Sequence, residues 1–354
     1  MASRHKYMYF DLLSIIASFA VICLHCNGIV HWGPQVPHWS QALVVEVVCY
    51  WAVPIFFMCT GAKTLAYRDH KTTKAFLISR FKGIFFPFFI WCVIQYCIKA
   101  SGLLNPRPLD WSPSFSHFWQ LFMSGQIDGT YWFFFAMFGV TLSIPVLSRL
   151  REHTDTLWYL VIAYVFLSGV VLPASKVFGI PWNSSLTIAT GGGYVMYAAL
   201  GFLLANDHSI FNSSKRRLAL YLGGGLAFAA RYGYTWFFSL HSGELNNTLF
   251  DYTYITAILP AVAVFVFFRH VPWETISFFN RFSNGIRAIA GLTFGVYLMH
   301  YFVLNDFFVQ HLGWDMASYR VRLLLPFIVF CLCLAVSGVL NKIPHLRAIV
   351  GGWR

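Results

Sequence analysis

Six ionisable residues lie inside long apolar stretches of this chain and are the first candidates for chemistry: Asp11, His25, Glu46, Arg231, His300 and Asp306. The stretches are roughly 17 to 25 residues long, which is enough for a helix to cross a bilayer. A charge or an imidazole costs on the order of a few kcal/mol at membrane depth, so such side chains usually line a cavity or a reaction centre. A histidine oriented by a carboxylate is suited to general base catalysis.

The first stretch carries several of its polar residues on one helical face. Asp11, Ser14, Ser18 and His25 follow each other at intervals of three, four and seven residues, which places them on one side of a helix. Asp11 and His25 are about 21 Å apart along the axis, so they do not form a direct pair. His25 is therefore a candidate base near one end of the helix, although an interfacial histidine bonded to a backbone carbonyl explains its position equally well.

Glu46 opens the second stretch, at a depth similar to that of His25 if the two helices are neighbours. It is the carboxylate that we expect to orient the imidazole. Arg80 and Lys82 begin the third stretch, where an arginine can bind the phosphates of an anionic substrate in a bidentate way. Anchoring of basic residues at the inner face of the membrane accounts for Arg80 and Lys82 equally well.

The elements that must hold these residues are membrane helices. The chain is 58% hydrophobic, 19% aromatic and 11% charged, and its mean hydropathy is +0.62. This composition predicts an all-α, polytopic membrane protein. We expect one membrane domain over 1–354 with no fused soluble domain. About ten transmembrane helices are predicted, at 8–26, 43–62, 80–100, 131–149, 157–173, 189–205, 217–239, 250–268, 286–310 and 321–341.

Basic residues set the expected orientation. With both termini cytoplasmic, the inner segments hold all of the 25 lysines and arginines except Lys99, Arg107, Lys176, Arg231, Arg320 and Arg322. This asymmetry satisfies the positive-inside rule and explains the net charge of +12 without nucleic acid as a partner. The histidine, cysteine and carboxylate spacings predict no metal site, and no nucleotide or flavin motif is present.

Five segments together resemble the acyltransferase 3 family of integral membrane acyltransferases. They are Tyr9 to His25, Val53 to Gly61, Arg80 to Pro87, Tyr131-Trp132-Phe133-Phe134 with Pro145, and Gly291 to His300. Each motif is weak alone, but they occur in family order over nearly the whole chain. The resemblance implies transfer of an acetyl group, or sometimes succinyl, from a coenzyme A thioester to a sugar hydroxyl of a surface polysaccharide or its lipid-linked precursor.

The same resemblance implies roles for single residues. His25 takes the place of the catalytic histidine, in a first-helix motif that begins at Asp11. Arg80 takes the place of the first arginine of an Arg-x-x-Arg motif associated with the acyl donor, and His300 that of a late-helix histidine. Two positions depart from the pattern, because Ser14 and Gly83 stand where many members have arginine.

The sequence therefore predicts an O-acyltransferase, acetyl-CoA being the expected donor, in a bacterial cytoplasmic membrane. The expected catalytic residues are His25, Glu46 and Asp11. Arg80 and Lys82 are expected to bind the donor. The expected substrate-binding residues are His300, Trp132 and Arg231. The alternatives are a polysaccharide-precursor transporter or flippase with a proton relay through His25, Glu46, Arg231 and Asp306, and an accessory or sensor module without chemistry.

Overall fold

The computed structural model describes residues 8–107, 111–183, 185–186, 192–206 and 211–352. All regular secondary structure in these described residues is helical, and they contain no β-strand. The α-helices, numbered in chain order, are α1 (Met8–Cys26), α2 (Trp39–Cys49), α3 (Ala52–Thr64), α4 (Thr73–Arg80), α5 (Phe86–Ser101), α6 (Phe115–Met123), α7 (Trp132–Leu147), α8 (Thr154–Tyr164), α9 (Leu172–Val177), α10 (Tyr194–Asn206), α11 (Ser214–Ser242), α12 (Ile255–His270), α13 (Ser277–Arg281), α14 (Ser283–Tyr301) and α15 (Tyr319–Lys342).

Several α-helices are joined by tighter or wider helical turns. The 3₁₀ segments are Gly28–Trp32, Leu65–Asp69, Trp273–Thr275 and Arg347–Val350. The π-helical segments are Phe81–Phe85, Val165–Val171 and Phe302–His311. π-Helical turns are rare and are found disproportionately at functional sites. Phe81–Phe85 directly follows Arg80, and Phe302–His311 contains Asp306.

Each predicted span overlaps one or more of these helices, although residues 189–191 of the span predicted at 189–205 lie outside the described residues. Six helical stretches of the described residues are long and apolar enough to cross a membrane: Met8–Trp32, Trp39–Asp69, Thr73–Ser101, Thr154–Val177, Ser283–His311 and Tyr319–Lys342. Three further apolar helices are shorter: Trp132–Leu147, Tyr194–Asn206 and Ile255–His270. The span predicted at 217–239 lies within α11. The all-helical membrane fold is thus confirmed, and the number of ten spans stays a prediction.

The chain divides into two compact units. The first comprises the residues up to Lys71 and Leu142–Ala290, and the second comprises Thr72–Thr141 and the residues from Gly291 on. In the first unit, α3 packs most extensively on α10, and α1 packs on α2, α3 and α12. The start of α1 is fixed by Glu274, whose Oε1 accepts a hydrogen bond of 3.0 Å from the backbone N–H of Met8. A carboxylate at a helix N-terminus accepts a hydrogen bond from a backbone N–H that has no partner within the helix, and its negative charge interacts favourably with the positive end of the helix dipole.

Two glycines permit the contact between α3 and α10. A Cβ atom added to Gly61 would overlap the backbone of Ala198, and one added to Gly201 would overlap the backbone of Met58. Small residues at such crossings let membrane helices approach closely, so that van der Waals contact and backbone packing hold them together. The first unit is therefore built around a crossing that tolerates no side chain at these two positions.

Polar side chains connect the helices of the second unit. Gln95 of α5 donates a 2.6 Å hydrogen bond from Nε2 to the hydroxyl of Tyr131. This hydroxyl donates a 2.9 Å bond to the carbonyl of Leu298 in α14. Trp91, also on α5, donates a 2.8 Å bond to the carbonyl of Ile349, in the C-terminal 3₁₀ turn. The hydrogen bonds fix α5 against α14 and against the end of the described chain.

The orientation of the second unit can be tested by labelling two exposed apolar positions. Leu103 follows α5 and Ile343 follows α15, and both are exposed. From the positive-inside asymmetry we expect Leu103→Cys to react with a membrane-impermeant maleimide in intact cells, and Ile343→Cys only after permeabilisation. The exposed native Cys97 and Cys331 would first be replaced by serine. The reverse labelling pattern would contradict the predicted cytoplasmic termini, which themselves lie outside the described residues.

Candidate active site

His25 lies in the last turn of α1 and is half-buried, whereas Asp11 lies in its first turn. Between them, the hydroxyls of Ser14 and Ser18 each donate a 2.8 Å hydrogen bond to the carbonyl four residues earlier in the same helix. Those hydroxyls are thereby satisfied within α1. Asp11 and His25, at the two ends of α1, are therefore the remaining candidates for chemistry on the predicted polar face of this helix.

His25 and Glu46 lie at similar depth. The thiols of Cys23 on α1 and Cys49 on α2 face each other, and the indole of Trp39 donates a 2.8 Å hydrogen bond to the carbonyl of Val30. These contacts define an antiparallel pair of helices. At 1.5 Å per residue, His25 and Glu46 differ by only about 1.5 Å in height. The shared depth expected from the sequence is therefore present, while orientation of the imidazole by Glu46 stays a prediction.

The charged neighbour of Glu46 is Arg231 of α11. Glu46 is 5% exposed and Arg231 is fully buried, and the two groups interact electrostatically. The guanidinium carbon lies 3.4 Å from the centroid of the Tyr50 ring and 4.4 Å from that of Phe250. Tyr50 in turn stacks on Tyr252 with centroids 4.0 Å apart. Cation–π contacts of this kind stabilise a desolvated guanidinium.

The guanidinium of Arg231 retains hydrogen-bonding capacity. Its Nε, Nη1 and Nη2 atoms are buried, and none makes a hydrogen bond of ordinary geometry to the part of the chain that the structure describes. Arginine has five N–H donors in a fixed plane. A buried donor without an acceptor costs about 1–3 kcal/mol, which a bound oxygen atom would recover. Binding of a substrate oxygen by Arg231, expected from its position inside a span, stays a prediction, and Glu46 and Tyr50 are the partners with which its guanidinium interacts.

Arg80 ends α4 and lies at a strongly basic end of the second unit. Its guanidinium lies 5.5 Å from the ring centroid of Phe76, and its Nε is buried without a hydrogen bond among the described residues. The neighbouring Lys82 is exposed. Segments 72–91 and 335–352 meet here, where the indole of Trp91 donates a hydrogen bond to the carbonyl of Ile349. These segments carry only positive formal charges, at Lys74, Arg80, Lys82, Lys342 and Arg347.

Gly83, where the resembled motif has its second arginine, lies in the π-helical turn after Arg80. An added Cβ would meet no atom within 4 Å there. The carbonyl of Gly83 lies 3.5 Å from the position of a Cβ built on Gly351, which follows the C-terminal 3₁₀ turn. The structure therefore leaves room for a side chain at position 83, and the missing arginine is not imposed by packing.

His300 and Trp132 occupy different environments in the second unit. His300 is 1% exposed, and its Nδ1 lies 2.8 Å from the carbonyl of Tyr297. Because a carbonyl only accepts hydrogen bonds, Nδ1 carries the proton. Trp132 is the first residue of α7 and is exposed. The substrate-binding roles expected of His300 and Trp132 stay predictions.

A second charged group lies at the opposite end of α5 from Arg80, about 28 Å away by helical rise. The Nζ of Lys99 lies 3.5 Å from Oδ1 of Asp306 and donates a 3.0 Å hydrogen bond to the carbonyl of Ile127. Asp128 also interacts with Lys99. Burial raises the pKa of Asp128, although the hydrogen bonds from Thr130 oppose the shift.

In the sequence, Lys99 is distinguished only as a basic residue outside the inner segments, and no pattern marks Asp128 as functional. The available signal was Asp128-Gly129-Thr130 directly before a span, where a short polar turn is expected. Oδ1 of Asp128 accepts hydrogen bonds from the backbone N–H and the hydroxyl of Thr130, at 2.9 and 2.7 Å. Among the described residues, no group of three or more histidine, cysteine or acidic side chains is arranged to hold a metal ion.

A family model described as an acyltransferase domain matches residues 7–342. The chain belongs to the acyltransferase 3 family. Membership confirms the resemblance read from the five sequence segments, and it identifies a multi-pass membrane acyltransferase. Comparison with curated proteins and with solved structures finds no match.

Proposed function

We propose that this acyltransferase 3 member is a membrane O-acyltransferase. It moves a short acyl group, acetyl first of all, from acyl-CoA to a hydroxyl of a surface polysaccharide or of its lipid-linked precursor. Its place is the bacterial cytoplasmic membrane. The observation that carries the proposal is the family match over residues 7–342. The uniformly basic end of the second unit supports an anionic, phosphate-bearing donor.

In the proposed reaction, His25 removes the proton from the acceptor hydroxyl. The oxygen then attacks the thioester carbonyl, the carbon–sulfur bond breaks, and the CoA thiolate takes the proton from the imidazolium. Glu46 stabilises the imidazolium electrostatically at the same depth in the first unit, and Asp11 begins the helix that carries the base. Arg231 binds a substrate oxygen through its buried N–H groups, which are short of acceptors.

The acceptor assignment is tested by mass spectrometry of surface glycans. Cells with and without the gene would be compared, and the deletion strain would be complemented with the wild-type chain. We expect loss of one O-acyl substituent from one glycan in the deletion strain and its return on complementation. Identical O-acyl profiles in the two strains, with the glycan still exported, would contradict a glycan as acceptor. Loss of glycan export with unchanged acylation would instead favour a transporter.

Replacement of Arg80 should weaken donor binding. In Arg80→Ala we expect the KM for acetyl-CoA to rise about tenfold or more, because a charge-assisted bond to phosphate contributes roughly 1.5–3 kcal/mol. The KM for the acceptor should change by less than about twofold. Arg107→Ala removes an exposed arginine from the segment after α5 and is the matched control. An unchanged KM for acetyl-CoA in Arg80→Ala would return this residue to the role of a membrane anchor.

Restoring the second arginine of the motif should have the opposite effect. Because position 83 has open space for a side chain, we expect Gly83→Arg to fold normally and to lower the KM for acetyl-CoA several-fold. Gly83→Gln places a side chain of similar reach there without the charge and is the control. Equal effects of the two variants would show that charge at position 83 plays no part in donor binding.

A further inference from the structure

A cavity of about 140 Å³ lies in the second unit, at the opposite end of α5 from Arg80. On the order of 10–15 Å³ of such space holds one water molecule, so the cavity has room for a small organic group of several heavy atoms. The residues with polar or aromatic side chains that line it are Lys99, Asn105, Trp111, Gln126, Phe302, Asp306 and Gln310.

One carboxylate that lines this cavity, that of Asp306, has an oxygen atom outside its ion pair with Lys99. Asp306 is 4% exposed, and its Oδ2 is buried without a hydrogen bond among the described residues. Its backbone carbonyl accepts a 2.8 Å bond from Nδ2 of Asn105, which fixes the loop after α5 against the π-helical segment. A buried carboxylate oxygen without a donor is costly, and a ligand hydroxyl is a suitable donor for it.

The charges of the cavity cancel. Lys99 and Asp306 are the charged residues among those that line it, and they form an ion pair with Nζ 3.5 Å from Oδ1. This pair offers hydrogen bonds to a ligand and adds no net charge to the lining, while Asp128, which is not among the lining residues, also interacts with Lys99. The cavity is thus electrostatically unlike the basic end at Arg80, which favours anions.

An aromatic wall is held in place beside these polar groups. Trp111 stacks on Tyr96 with centroids 5.4 Å apart and an interplanar angle of 24°. Its edge meets the ring of His117 at 5.1 Å. The hydroxyl of Tyr96 lies 3.0 Å from Nδ1 of His117 and also bonds Ser114. The indole is therefore positioned in advance, which lowers the entropic cost of binding a ligand against it.

We propose that this cavity is a subsite for one neutral, hydroxylated ring of the acceptor glycan. Trp111 contacts the C–H face of the ring. The carboxylate of Asp306 accepts a hydrogen bond from a ring hydroxyl, and the exposed amides of Gln126 and Gln310 bond to others. This subsite rests on the proposed function, in which a glycan is the acceptor. The residues that line the subsite would select among sugars.

Binding can be measured without the acyl-transfer reaction. The full chain in lipid nanodiscs, free of sugar-based detergent, would be titrated with methyl glycosides of glucose, galactose, mannose and N-acetylglucosamine by saturation-transfer NMR. We expect at least one glycoside to bind, and Trp111→Ala and Gln310→Ala to weaken that binding at least tenfold and threefold, respectively. Trp119→Ala removes an exposed tryptophan of α6 that does not line the cavity, and it should bind as the wild type does. Binding of none of the four, or equal loss in Trp111→Ala and Trp119→Ala, would overturn the subsite.

A charged probe tests the neutral character of the ring. Methyl glucuronide should bind no more tightly than methyl glucoside, and binding tenfold tighter would contradict a neutral ligand. His25→Ala should retain sugar binding.

If sugars bind as expected while no glycan acylation is found, the subsite stands and the proposed function fails. If acylation is found but Trp111→Ala leaves the KM of the acceptor unchanged, the subsite fails and the function stands.

Discussion

His25→Ala is expected to insert and purify like the wild type and to lose acyl transfer by at least about 10²-fold, because general base catalysis contributes roughly 10² to 10⁴ to a rate. The loss should appear in kcat with little change in the KM for acetyl-CoA, since the groups proposed to bind the donor, Arg80 and Lys82, lie in the second unit. His25 is half-buried in the last turn of α1, so its truncation leaves the core of the first unit intact. Radiolabelled acetyl transfer from purified protein to isolated glycan precursor is the appropriate measurement.

His300→Ala is the comparison for this experiment. His300 is 1% exposed and bonded through Nδ1 to the carbonyl of Tyr297, so we expect its loss to lower the thermal stability and to reduce kcat less than the loss of His25. Near-normal acylation in His25→Ala would remove the proposed base. In that case a proton relay in a transporter would become the better explanation of the buried ionisable groups.

The second large effect is expected at the crossing of α3 and α10. Gly201→Ala should lower the apparent melting temperature by roughly 2–6 °C, because overpacking typically costs about 1–3 kcal/mol and here the added Cβ meets rigid backbone. Gly201→Val should fail to accumulate as folded protein. Thermal unfolding followed by size-exclusion chromatography in nanodiscs would measure both variants. The same loss is expected for Gly61→Ala, since its Cβ would overlap the backbone of Ala198.

Gly225→Ala is the matched control for these substitutions. Gly225 lies inside α11, in the same unit, and an added Cβ would meet no atom within 4 Å. Alanine favours an α-helix over glycine by about 0.8–1 kcal/mol, so Gly225→Ala should leave the stability unchanged or raise it. A loss of stability in Gly225→Ala equal to that in Gly201→Ala would show that close helix contact is not the cause.

The sequence by itself determined the all-helical membrane fold. Hydrocarbon cannot satisfy backbone polar groups, so long apolar stretches must become helices, and composition and length are sufficient to identify them. The places of the predicted spans therefore agree with the helices, from α1 to α15. The family was also predictable, because its motifs occur in order along the chain, and the match over residues 7–342 confirms it.

The shared depth of His25 and Glu46 was partly predictable for a similar reason. Both residues flank one short connection, and an antiparallel pair of helices brings such positions to similar height. The roles predicted for the candidate site residues, His25, Glu46 and Arg80 above all, remain predictions. These predicted roles rest on the family motif and on the chemical type of each side chain.

Only the tertiary structure decided which distant residues meet. Arg231 is 185 positions from Glu46, and Lys99 is 207 positions from Asp306, so no local pattern could pair them. Helix periodicity fixes which face of one helix is polar, but not which helix packs against that face. The same holds for glycine: no local pattern marks Gly61 and Gly201 out from the other glycines, yet an added Cβ at either position would overlap the backbone of the facing helix. Contacts of that kind depend on the crossing of two helices, which long-range packing alone determines.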